Sequence, residues 1–311
     1  MRITAVTRNS SLSALLLLIT IIVASLLRHD ARPFATELSA GAGLTPWGMA
    51  IAAIAILATA FIANRTASST GIFKEYCTLP LPLYGLVACG IFITADLPIV
   101  AITALCVAMS LLLLTRNLTA AADKDSVFFG SMLLGVTALL YPPCIVLVVA
   151  IPLSIVLFTL SFRQVVIAIA GWLLPPLMAL YAAWYGDTVD EFVAQYEALL
   201  VERPMTTIPW GAIAIAAAIL VILLGGIFAS TAARRQFMII RTRRATQFFT
   251  LMFIGATLPI ALPSHPIAML TIVAVPASLV ISMALARMSN TAGAILYWLL
   301  LAATLAHLFV E

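Results

Sequence analysis

Asp30 sits in the run Arg28-His29-Asp30-Ala31-Arg32-Pro33. A carboxylate between two guanidiniums has the parts for general-base chemistry beside a phosphate. The acid takes a proton, and the forked donors of Arg28 and Arg32 clamp the anion. Asp96, in Thr94-Ala95-Asp96-Leu97-Pro98, is the acid that would join Asp30 in one cavity. Its plainer role is to cap the helix that Leu97 and Pro98 begin. Tyr141-Pro142-Pro143 and Pro175-Pro176 offer something else. Proline removes a helix hydrogen bond and clashes with the carbonyl one turn back, so paired prolines are expected to break their helices. In a membrane the carbonyls so freed must face protein or a watery cavity. Both breaks are therefore candidates to line one, and the plain alternative is a static kink.

Metal and cofactor chemistry find no such parts. The histidines (His29, His265, His307) and cysteines (Cys77, Cys89, Cys106, Cys144) are scattered, with no pair at metal-ligand or redox spacing. No glycine-rich phosphate loop or catalytic triad stands in the chain, so no cofactor is expected.

The elements that must position these residues follow from composition. The chain is 64% hydrophobic and 9% charged, with a mean hydropathy of +1.17. Soluble domains carry about 25% charged residues. A chain this poor in charge cannot cover a water-facing surface, so most of its outside faces lipid. Only helices and closed barrels satisfy their backbone there. Runs such as 15–27 and 213–227 are continuously apolar and lack the alternation of barrel strands. The expected fold is all-α, one polytopic transmembrane helical bundle over 1–311. Spans are expected at 11–27, 45–63, 79–95, 97–115, 126–141, 144–161, 164–185, 208–229, 246–262, 267–286 and 293–309, about eleven in all. The first is read as an uncleaved signal anchor.

Charge orients the bundle. With the N-terminus in the cytoplasm, 13 of the 16 Lys and Arg fall inside, leaving Arg28, Arg32 and Arg203 outside. Nine of the 12 acids fall outside. One misplaced span would scramble this separation, so it supports N-terminus in and C-terminus out. The inner patch Arg234, Arg235, Arg241, Arg243 and Arg244 suits anionic lipid headgroups, or serves only as a topological anchor. Nucleic acid is not needed to explain it.

The stretch 123–203 carries the least generic features and is expected to organise the molecule. It ends in an amphipathic segment, 187–203. Val189, Phe192, Val193, Tyr196, Leu199 and Leu200 share one face at helical spacing, and Asp190, Glu191 and Glu202 fall away from it. Asp187 is the expected N-cap, and Glu197 adds to the acidic character. This helix is expected to lie on the outer surface, as a lid, a docking face or a packed linker.

Several short motifs carry a resemblance. Gly130-x4-Gly135, Leu140-Tyr141-x-Pro143, Phe162-Arg163-Gln164 and Gly171-Trp172-Leu173-Leu174-Pro175-Pro176, with Asn64-Arg65 earlier, resemble the central signature of an uncharacterised family of bacterial multi-pass inner-membrane proteins. Val165 departs from that pattern, which has a large residue there. The resemblance implies a bacterial cytoplasmic (inner) membrane and no activity. Three functions stay open. One is a non-enzymatic cell-envelope subunit or scaffold, with membrane lipids and an envelope protein as partners. Another is a polyprenyl-phosphate-linked glycosyltransferase-like enzyme, although such enzymes have longer first outer loops. The third is a lipid or small-solute permease using the proline break.

Overall fold

In this computed structural model the described residues are 46–70, 78–90, 97–116, 124–158, 161–201, 240–257 and 266–287, with helical positions at 19, 291, 295–299 and 302. Among them every regular element is a helix: α1 (Pro46–Ser69), α2 (Pro80–Gly90), α3 (Leu97–Arg116), α4 (Lys124–Leu140), a 3-10 helix (Pro142–Val149), α5 (Ala150–Phe158), α6 (Phe162–Tyr185), α7 (Val189–Val201), α8 (Ile240–Thr257) and α9 (Pro266–Arg287). Three stretches, Ala50–Ser69, Pro98–Arg116 and Phe162–Tyr185, are long and apolar enough to cross a membrane. Pro142–Phe158 and Thr271–Leu285 are shorter apolar helices. The expected spans at 11–27, 208–229 and 293–309 lie wholly or largely outside the described residues.

Among the described residues the most enclosed long helix is α9, which lies outside the 123–203 stretch. Every residue of Thr271–Leu285 is buried, so this stretch has no outward face. Small residues Ala274, Ser278 and Ser282 recur every fourth position and let neighbouring backbones approach. The two serine hydroxyls are satisfied inside the helix: Ser278 donates to the Val275 carbonyl at 2.8 Å, and Ser282 to that of Leu279 at 3.0 Å. α2 is its main partner and is equally enclosed, with Tyr84 fully buried. α8, α3 and α1 also pack on α9.

Around α9 the seams are built from small side chains. Ala52, Ala55, Thr59 and Ala63 of α1 are buried, as are Ala101, Ala104 and Ala108 of the neighbouring α3. Thr59 donates to the Ala55 carbonyl at 2.7 Å, which removes the cost of an orphaned hydroxyl in an apolar seam. α3 and α4 share a bond that crosses between helices: Ser110 Oγ donates to the Gly130 carbonyl at 2.7 Å. A Cβ on Gly130 would come within 3.1 Å of Leu114 Cγ, so this seam also depends on a missing side chain.

α6 is the edge. Of its 24 residues only Gln164, Ala168, Gly171 and Ala183 are buried. Its length of about 36 Å exceeds the roughly 30 Å hydrocarbon thickness of a bilayer. Exposed Phe162 marks one end, and exposed Tyr181, Trp184 and Tyr185 mark the other. Aromatic rings at both ends of an exposed apolar helix are what two membrane–water interfaces select.

Candidate functional site

The expected break at Pro175-Pro176 is absent: α6 runs through both prolines as one helix. Two proline nitrogens carry no hydrogen, so the carbonyls of Gly171 and Trp172 lose their helical donors. The structure compensates in the packing. Gly135 of α4 lies against the Trp172 carbonyl so closely that a Cβ would collide with it. The same Cβ would sit 3.1 Å from Cδ and Cγ of Pro175. Gly135 thus presents a Cα–H toward an oxygen that its own helix has released, a weak contact known at close helix seams. The arrangement is reciprocal. A Cβ on Gly171 of α6 would come within 2.6 Å of the Phe128 carbonyl of α4. Protein covers the Trp172 carbonyl, and Pro175 packs against α4 at the same place.

The earlier proline pair does interrupt the chain. Tyr141 is extended at φ −144°, ψ 96°, and Pro142 and Pro143 begin the 3-10 helix. Prolines suit those first positions, where no donor is needed, and the residue before a proline is held away from helical angles. Tyr141, Pro142 and Pro143 are all buried, and Tyr141 belongs to the apolar core. The eight-residue 3-10 segment is long for that geometry.

α7 rests on α6 and on the 3-10 helix. Val189 and Phe192 are half-buried, while Asp190, Glu191, Val193 and Glu197 are exposed. Its cap differs from expectation. Thr188 is the N-cap, its carbonyl accepting the Phe192 N–H at 3.0 Å. Asp187 belongs to the end of α6, where its φ of 55° turns the chain out of the helix. The Thr188 N–H donates to the Ala183 carbonyl at 2.9 Å and the Asp187 N–H to that of Trp184 at 3.2 Å. This is the paired closure that usually places glycine at the left-handed position.

At the start of α6 the Ser161 N–H donates to Gln164 Oε1 at 2.8 Å. Gln164 therefore caps the helix, while Phe162 and Arg163 stand exposed. The two glycine contacts advance together along α4 and α6, so these helices run in the same sense. That brings Lys124 and Arg163 to one end. Phe158, just before Ser161, meets Phe248 of α8 with ring centroids 4.9 Å apart. Arg244 lies one turn before Phe248, so exposed Arg243 and half-buried Arg244 join the same end. The acids Asp187, Asp190, Glu191 and Glu197 lie beyond the opposite end of α6.

Arg28, Asp30, Arg32, Asp96, Glu202, Arg234 and Arg235 lie outside the described residues, and Arg241 falls in the first turn of α8. Among the described residues no three His, Cys, Asp or Glu gather as a metal site. Sequence reasoning expected α9 as a span at 267–286 and missed only that it is buried on all sides. Its signal was the spacing of Ala274, Ser278, Ser282 and Ala286, four residues apart in an apolar run. Compared with family models, curated proteins and solved structures, the chain matches none.

Proposed function

We propose that this chain is a multi-pass protein of a bacterial cytoplasmic membrane that serves as a non-enzymatic subunit or scaffold of a cell-envelope assembly. The observation that carries this reading is α7. It seats Val189 and Phe192 on the bundle and leaves Asp190, Glu191 and Glu197 in solvent, at the end of α6 opposite the cations. An acidic, presented helix is a docking face for a partner with a basic surface. By the positive-inside rule the basic end faces the cytoplasm and α7 faces out, with eleven spans, the N-terminus in and the C-terminus out. The motifs that carry the family resemblance act here as caps and packing positions, which supports a structural role. The enzyme reading rests on Asp30 with Arg28 and Arg32, and no described residue adds to it. The permease reading rested on a helix break that α6 does not have.

The test is native mass spectrometry of the full chain, extracted gently with its lipid. A protein partner is expected in fixed stoichiometry. It should be lost in Glu191→Lys with Glu197→Lys while expression and dispersity stay unchanged. Recovery of the chain without any such partner, carrying a polyprenyl-phosphate instead, would overturn the reading. Labelling of Cys77 by a membrane-impermeant maleimide from the outer side would overturn the orientation.

A further inference from the structure

The cations at the start of α6 lie next to an apolar face that no other described helix covers. Arg163 is exposed at that start and Lys124 is exposed at the same end of α4. Arg243 and Arg244 come to this end through the Phe158–Phe248 contact. Asp125 is the one acid described there. Directly beyond Arg163 run Val166, Ile169, Leu173 and Leu177, all exposed. Phe162 stands at the collar between the two zones, 84% exposed. A ligand that fits must be anionic at one end and carry a long apolar body on the same molecule.

We propose that this corner of the bundle binds an anionic phospholipid, its phosphate against Arg163, its acyl chains along the exposed face of α6, and Arg243 and Arg244 adding positive charge at the same end. The inference deepens the membrane-protein reading and rests on it. The chemistry is complementary in two ways at once. Guanidiniums pair with phosphate oxygens in a fork that suits both partners. Each basic group near a membrane surface adds attraction that salt weakens. The acyl chains pack along an apolar face long enough to span the hydrocarbon layer. A zwitterionic lipid satisfies only the apolar half, because its ammonium offsets its phosphate. Arg163 is the discriminating residue, since it alone of the three arginines belongs to the helix that supplies the apolar face.

The experiment uses the full chain in nanodiscs of phosphatidylcholine containing a minor fraction of phosphatidylglycerol. Native mass spectrometry reads which lipid stays bound. Phosphatidylglycerol is expected to be retained well above its share of the mixture. Each of Arg163→Gln, Arg243→Gln and Arg244→Gln should lower that preference about fivefold. Glu191→Gln with Glu197→Gln, at the other end, should leave it unchanged. Equal retention of the two lipids would overturn the proposal, as would full preference in the triple arginine variant. Chain that enters pure phosphatidylcholine discs as a folded monodisperse species keeps the membrane reading in either case. Failure to enter any disc would instead sink that reading and the proposal with it.

Discussion

Gly135 and Gly171 are positions where one added methyl group meets another helix's backbone, not the movable end of a side chain. Backbone cannot rotate away, so the helices must separate. Gly135→Ala should destabilise the fold by about 1–3 kcal/mol, the usual cost of overpacking a tight seam. Thermal unfolding in nanodiscs reads this, and an unchanged midpoint would refute the seam. Asp187 works in the opposite direction. A side chain at φ 55° is strained where glycine is not. Asp187→Gly should therefore stabilise the α6–α7 junction by about 0.5–1 kcal/mol, and a lower midpoint would contradict the closure described. Both positions stood out in the sequence, but for other reasons. The glycines were visible only as part of a short motif, because nothing in one strand of text says which carbonyl faces a missing Cβ. Asp187 looked like a cap for the following helix, and the neighbouring Thr188 took that place. The contest between adjacent capping residues is decided by the turn geometry of Gly186 and Asp187, which composition does not encode.

Helix placement was far more legible than helix environment. α1, α3, α4, α6, α8 and α9 begin within a few residues of where apolar length and flanking charge place them, apart from the earlier start of α8. The reason is physical: in lipid a span must be long, apolar and helical, and charge must stop it. Which spans meet is decided by small residues and by single polar contacts, and these are weak signals. Pro175 and Pro176 show the limit. Their local chemistry favours a break, yet the packing of Gly135 against the Trp172 carbonyl lets the helix continue. Ser110 is the opposite case, an ordinary serine in an apolar run that turns out to join α3 to α4. Ser110→Ala should cost about 0.6 kcal/mol, the average for interhelical hydrogen bonds in membranes. Denaturant unfolding compared with Ser154→Ala, whose hydroxyl bonds within its own segment, isolates the part that comes from crossing between helices. Equal losses would show that the Gly130 carbonyl gains nothing from its visitor.

At the scale of the molecule, the aromatic ends of α6 are expected to set its depth in a bilayer. Trp184 stands at the end of α6, 6.0 Å from Tyr181 between ring centroids, and is 68% exposed. Lipids brominated near the headgroup should quench it more strongly than lipids brominated at the chain ends. The signal is isolated as the difference from Trp184→Phe, and the reverse order would move α6 to another depth. Among the described residues, Lys124, Arg163, Arg243 and Arg244 lie at one end and the acids of α7 at the other, in the sense that the sequence suggests. The identity of the most enclosed helix was not readable there, because burial on all sides and exposure to lipid on all sides leave similar apolar text. That α9 is so enclosed has a consequence for how the protein is made. α2 is enclosed by a partner that the ribosome delivers only when Pro266 and its successors emerge. At about 5–20 residues per second this leaves α2 without its companion for roughly 10–40 s. During that interval the small-residue grooves of α1, α2 and α3 stand open to lipid or to whatever insertion factor holds them. α9 must then slide in among helices that are already made.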